Sequence, residues 1–85
     1  MTTVTLYAKP GCKLCEEVED VILDVRDRRP FQFVVRNILQ DLADYENYKH
    51  DIPVVVVDGA EIARHRMTAE QLERALSTPH NPAGG

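Results

Sequence analysis

Two strand-like segments flanking one amphipathic helix constrain this chain's fold more than any other feature. Thr3-Val4-Thr5-Leu6-Tyr7-Ala8 is β-branched and aromatic, and Val4, Leu6 and Ala8 alternate against Thr3, Thr5 and Tyr7 with the period of a strand. Lys9-Pro10-Gly11 interrupts it. Beyond that break Leu14, Val18, Val21, Ile22 and Val25 recur at the spacing of one helical face, and Glu16, Glu17, Glu19, Asp20, Asp24 and Asp27 fill much of the rest. The spacing predicts an amphipathic helix that starts near Cys12. Arg26, Arg28 and Arg29 suit the negative end of its dipole, and Pro30 ends it. Phe31-Gln32-Phe33-Val34-Val35-Arg36 follows as a second strand. Its mostly apolar character predicts burial on both faces, as in a parallel strand reached through the helix.

The remaining half supplies a short helix from about Gln40 to Lys49, where Leu42, Tyr45 and Tyr48 recur at three-residue spacing and the two tyrosines are the expected aromatic anchors. Tyr7 reads either as sheet core or as a lining residue near the site. Pro53-Val54-Val55-Val56-Val57, Asp58-Gly59 and Ala60-Glu61-Ile62-Ala63-Arg64 read as an antiparallel hairpin, because Asp-Gly supplies the two positive φ angles of a type I′ turn. Thr68 with Gln71 has the form of a capping box, and Leu72, Ala75 and Leu76 give the apolar stripe of a last helix. The expected order is β-α-β-α-β-β-α, an α/β three-layer sandwich with helices on both faces of a four-stranded mixed sheet. One domain over residues 1–78 and a flexible tail over 79–85 account for all 85 residues.

Composition narrows the function classes. No stretch approaches the roughly 18 apolar residues that span a bilayer. The N-terminal residues carry no basic and apolar pattern of a secretory signal, so the expected location is the cytoplasm. With 10 Lys+Arg against 14 Asp+Glu, the net charge of −4 disfavours nucleic acid, and the expected state is a monomer without a membrane partner.

Both of the chain's 2 cysteines fall in Cys12-Lys13-Leu14-Cys15, where the first turn opens a helix. Two intervening residues on the first helical turn bring the sulfurs within reach of a disulfide. The first thiol faces free backbone N–H groups and the positive end of the helix dipole, which favour its thiolate. Lys9 and Lys13 add positive charge there, partly offset by Glu16 and Glu17. Cys12 is therefore expected to attack a substrate disulfide, and the less exposed Cys15 to resolve the mixed disulfide. Pro53 is the second element of the site. A cis bond before it would end the strand beside the dithiol and offer the Ile52 backbone to a bound peptide. A metal is not expected, since there is no second cysteine pair and His50, His65 and His80 lack ligand spacing.

Leu6-Tyr7-Ala8-Lys9-Pro10-Gly11-Cys12-Lys13-Leu14-Cys15, then Ile52-Pro53, then Val57-Asp58-Gly59, resembles the glutaredoxin branch of the thioredoxin fold over about residues 3 to 77. The nearest likeness is to a small glutaredoxin-like group with a non-standard active site. The resemblance implies a nucleophilic Cys12, a resolving Cys15, a cis-Pro53 supporting substrate backbone, and a Lys9 that contacts glutathione. It also implies a thiol–disulfide oxidoreductase acting on protein or low-molecular-weight disulfides, with glutathione or a thioredoxin reductase as electron donor and no bound cofactor. Two positions depart from the family pattern. Lys13-Leu14 stands where Pro-Tyr is usual, and Ala63-Arg64-His65-Arg66-Met67 replaces a Gly-Gly and acidic stretch, with Arg66 at an acidic position. Arg64 and Arg66 then become candidates to hold an anionic partner or substrate tail, or else form a solvated hairpin end. The competing function is a thioredoxin-fold binding or metal-carrier module without redox turnover.

Overall fold

A computed structural model describes residues 2–77. It contains β1 (Thr3–Ala8), α1 (Lys13–Arg28), β2 (Gln32–Asn37), α2 (Leu42–Tyr48), β3 (Val54–Val57), β4 (Ala60–Arg64) and α3 (Ala69–Ser77), in the expected order. The expected tail over 79–85 lies outside the described residues. The four strands form one mixed sheet in the order β2-β1-β3-β4. β1 pairs parallel with β2, opposing Leu6 to Val35, and antiparallel with β3, opposing Leu6 to Val55.

Alternation along β1 decides which face carries the core. Val4, Leu6 and Ala8 are buried and Thr3, Thr5 and Tyr7 only half so. Val55 and Val57 of β3 share the Leu6 face by register. Against it α1 sets Cys15, Val18, Ile22 and Val25, and α3 sets Leu72 and Ala75, all in one buried cluster. Arg29, just past α1, ties the two helices by donating to the Glu73 carbonyl at 3.2 Å and the Ser77 hydroxyl at 2.7 Å. No buried charged or polar side chain occurs among the described residues.

The opposite face is more thinly covered. Tyr7 stacks on Tyr48 of α2 with ring centroids 4.4 Å apart, and the Arg36 guanidinium lies 5.9 Å from the Tyr7 ring while donating to Asp44 at 2.9 Å. Tyr7 is thus a residue of the α2 face, and its burial, followed by the nearby Tyr48 and Asp44, pushes its phenol above the ordinary value.

Two expectations fail here. β2 is not buried on both faces: it is an edge strand, with Val34 43% and Val35 49% exposed. A mostly apolar run signals a strand without revealing its place in the sheet, and only a central position brings cover on both sides. In α2, Tyr45 is 38% exposed and is not an anchor, so of the two tyrosines only Tyr48 packs on the sheet, and Leu42 is 77% exposed. A 3-10 turn, Ile38–Gln40, precedes α2 and buries Ile38 in their place, with the Asn37 side chain accepting from the Leu39 N–H at 2.9 Å.

The hairpin follows its sequence signal, with φ of 48° at Asp58 and 87° at Gly59. Ile62 is an extra residue in β4, since Val55 pairs with Ala63 and Val56 with Glu61. At α3 the capping box is formed: the Thr68 N–H donates to the Gln71 side chain at 2.8 Å and the Gln71 N–H to the Thr68 hydroxyl at 3.1 Å. Thr68→Ala removes the hydroxyl that accepts from the Gln71 N–H, while the backbone N–H of position 68 stays, and is expected to lower stability by about 0.5–2 kcal/mol, read as a lower urea midpoint at unchanged slope.

Candidate active site

The dithiol is placed by the turn that leaves β1. In Lys9-Pro10-Gly11-Cys12 the Cys12 N–H reaches the Lys9 carbonyl at 3.4 Å, proline holds the second position, and glycine holds the third with φ +79°. That is the residue pattern of a type II turn, whose third position demands a positive φ. Cys12 emerges from it with extended backbone (φ −88°, ψ 108°) as the N-cap of the 16-residue α1.

Cys12 and Cys15 are joined in a disulfide with Cα atoms 5.2 Å apart. They are inequivalent. Cys12 is half-buried, and its Sγ accepts from the Cys15 N–H at 3.1 Å. Cys15 is 4% exposed within the apolar cluster. The first-turn amide that points at Cys12 Sγ is a donor that favours a negative sulfur there, whereas burial disfavours charge on Cys15.

The Ile52–Pro53 peptide bond is cis. Because Tyr7 pairs with Val54, the register brings buried Pro53 alongside Ala8, where β1 turns off toward the cysteines. The Pro53 carbonyl accepts from the His65 N–H at 2.8 Å, and half-buried Ile52 packs against the same cluster as Cys12.

The basic candidates separate. Lys9 and Lys13 are exposed beside the turn, and Lys9 borders a groove of about 300 Å³ shared with Cys12, Cys15, Glu16 and Glu19. Arg64 is engaged: it pairs with Glu61 through Nε and Nη2 and with Asp51 at 3.0 Å. That guanidinium holds the Glu61 carboxyl below the usual carboxylate range. Arg66 is exposed and lines a second groove, of about 310 Å³, together with Leu14 and Met67. The structure therefore brings Lys9 to the cysteine pair and sets Arg66 across Leu14 from it. Sequence reasoning missed Glu17, on the wall of that second groove, because its place on an acidic helix face gave it no distinguishing signal. Among the described residues no group of three or more His, Cys, Asp or Glu side chains could hold a metal ion.

A four-stranded mixed sheet, a dithiol at the N-terminus of its first helix and a cis-proline beside it define a domain with the thioredoxin fold. The chain belongs to the family of the Glutaredoxin-like domain (DUF836), whose model matches residues 3–77. It is similar to the Glutaredoxin-like protein YDR286C homolog of Dictyostelium discoideum, at 26% identity over 88% of this chain and 75% of the relative. Among solved structures, protein Ne2328 from Nitrosomonas europaea matches with a TM-score of 0.78 at 22% identity, covering 89% of this chain and 92% of that one. The thioredoxin-like protein BC3987 (mutant T8A) matches with a TM-score of 0.64 at 22% identity, covering 89% and 96%. Family and cysteine pair together support a thiol-based redox role. No helix among the described residues is long and apolar enough to cross a membrane.

Proposed function

We propose that the chain is a thiol–disulfide oxidoreductase that reduces disulfides of proteins or small molecules through Cys12 and Cys15. The unequal setting of the two sulfurs in one helical turn carries this reading: one half-open and facing an amide donor, the other buried behind it. In the reduced protein the Cys12 thiolate attacks a substrate sulfur, forms a mixed disulfide and releases the first substrate thiolate, which takes a proton from water. Cys15 then gives up its proton to solvent and attacks the Cys12 sulfur. The second substrate sulfur leaves as a thiolate and takes a proton from water, and the protein is left with the Cys12–Cys15 bond. Two electrons have passed to the substrate, and an external reductant, glutathione or a thioredoxin reductase, restores the dithiol.

Ile52 and Pro53 support this role. Among the described residues the Ile52 backbone makes no hydrogen bond, so its N–H and carbonyl are free to pair with an extended substrate segment. Lys9 and Lys13 favour an anionic sulfur by their charge. The working form is a monomer in the cytoplasm.

Equilibration in glutathione redox buffers, with alkylated thiols counted by mass, tests the reading. A two-electron transition is expected between about −200 and −270 mV, the lower end indicating a thioredoxin-type donor. Iodoacetamide is expected to modify reduced Cys12 first, with a titration below the roughly 8.5 of a free thiol. Failure to form an intramolecular disulfide at any poise removes the proposal and leaves the binding-module reading.

A further inference from the structure

The groove across Leu14 is built from α1, α3 and the loop between β4 and α3. Its apolar floor includes Leu14, Val18, Val21 and Met67. Leu14, which stands between the two cysteines in sequence, is part of its lining and so sets the groove beside the dithiol turn. The polar groups of Thr68 and Gln71, also on its wall, are committed to each other in the capping box.

Arg66 is the exception among the arginines. Arg26 lies over the Phe33 ring, Arg28, Arg36, Arg64 and Arg74 each hold a carboxylate, and Arg29 holds a carbonyl and a hydroxyl. The Arg66 guanidinium has no side-chain hydrogen bond, ion pair or ring contact among the described residues, although the chain carries 14 acids against 10 Lys+Arg. A planar fork of donors over an apolar floor matches a carboxylate. Glu17 stands on the α1 wall of the same groove, backed by that helix's acidic surface, and repels a second acid.

We propose that this groove takes the polypeptide flanking the target cysteine and that Arg66 selects a segment carrying one isolated Asp or Glu. The proposal rests on the oxidoreductase reading and names its substrate class: a protein disulfide with a single acidic neighbour, rather than an acidic run or a basic segment.

The test uses the pre-reduced chain and short peptides with one cysteine blocked as a mixed disulfide with 2-mercaptoethanol. The peptides differ by a single Asp, Asn or Lys, placed one to four positions to either side of that cysteine. Second-order rate constants are divided by those of dithiothreitol on the same peptides, which removes the peptides' own differences in reactivity. At its best position Asp is expected to exceed Lys about fivefold at low salt, the size of a partly exposed ion pair, and the preference fades as salt is added. Arg66→Glu reverses the order, and Glu17→Gln widens the wild-type preference.

Equal wild-type rates for Asp and Lys at every position overturn the proposal, as does an Asp preference unchanged in Arg66→Glu. In either case rapid reduction of the Asn peptides leaves the oxidoreductase reading standing. If the wild-type chain reduces none of the peptides, that reading falls and takes this one with it.

Discussion

Cys12→Ser is expected to reduce disulfide turnover to the uncatalysed background, and Cys15→Ser to retain the first attack and stall as a covalent adduct. The difference follows from the sulfur positions. Cys12 is the half-open member of the pair and its Sγ faces the Cys15 amide, and a serine hydroxyl there neither ionises near neutrality nor attacks sulfur. Cys15 is 4% exposed, so substrates reach Cys12 before they reach it. Removing Cys15 leaves the mixed disulfide with no internal thiol to resolve it. Mass spectrometry of the protein after mixing with a disulfide peptide reads both results: no adduct for Cys12→Ser and a stable one-to-one adduct for Cys15→Ser. A Cys12→Ser protein that still turns over substrate at the wild-type rate would show that the assignment of nucleophile is wrong.

The second large effect is on stability. Leu72→Ala is expected to destabilise the chain by about 2–5 kcal/mol, with a fall in melting temperature of roughly 4–8 °C per kcal/mol for a domain of this size. Leu72 is fully buried in the cluster that α3 shares with α1 and the sheet. α3 has 9 residues, and Leu72 and Ala75 are its buried ones, so truncation removes most of what seats it. A domain of 85 residues holds a small reserve of stability, and a loss of that size is a large part of it. Leu42→Ala is the control. That side chain is 77% exposed on α2 and its loss stays within about 0.5 kcal/mol. Urea unfolding followed by circular dichroism separates the two. Equal midpoints for both variants would mean that α3 is not seated through Leu72.

Most of the scaffold was legible because its signals are local. The alternation in β1, the helical period in α1, Asp58-Gly59 and the Thr68/Gln71 pair each specify a conformation within a few residues, and each is realised. What escaped depends on neighbours far along the chain. Nothing in Phe33-Val34-Val35 tells an edge from a centre, because that is decided by β3 pairing with the other side of β1. The three-residue spacing of Leu42, Tyr45 and Tyr48 suggested one buried stripe. Burial fell to Ile38 instead, whose turn begins at the side chain of Asn37.

The site divides the same way. Cys12 and Cys15 were readable from spacing at a helix start. The engagement of Arg64 was not, since one of its partners, Asp51, lies on the far side of the hairpin in sequence. Arg66 differs from Arg64 only in what surrounds it.

β1 has a neighbour on each side, one parallel and one antiparallel, and the turn that carries Cys12 leaves directly from its end at Ala8. The Cys12 sulfur is therefore suspended from an inner strand, while the exposed apolar residues Val34, Leu39 and Leu42 lie along β2, the 3-10 turn and α2, and Val35 of β2 lines the groove beside the two cysteines. Changes at Leu39 or Leu42 alter what the molecule presents to its surroundings on elements that do not carry the cysteines, whereas a change at Val35 alters the groove that Cys12 and Cys15 line.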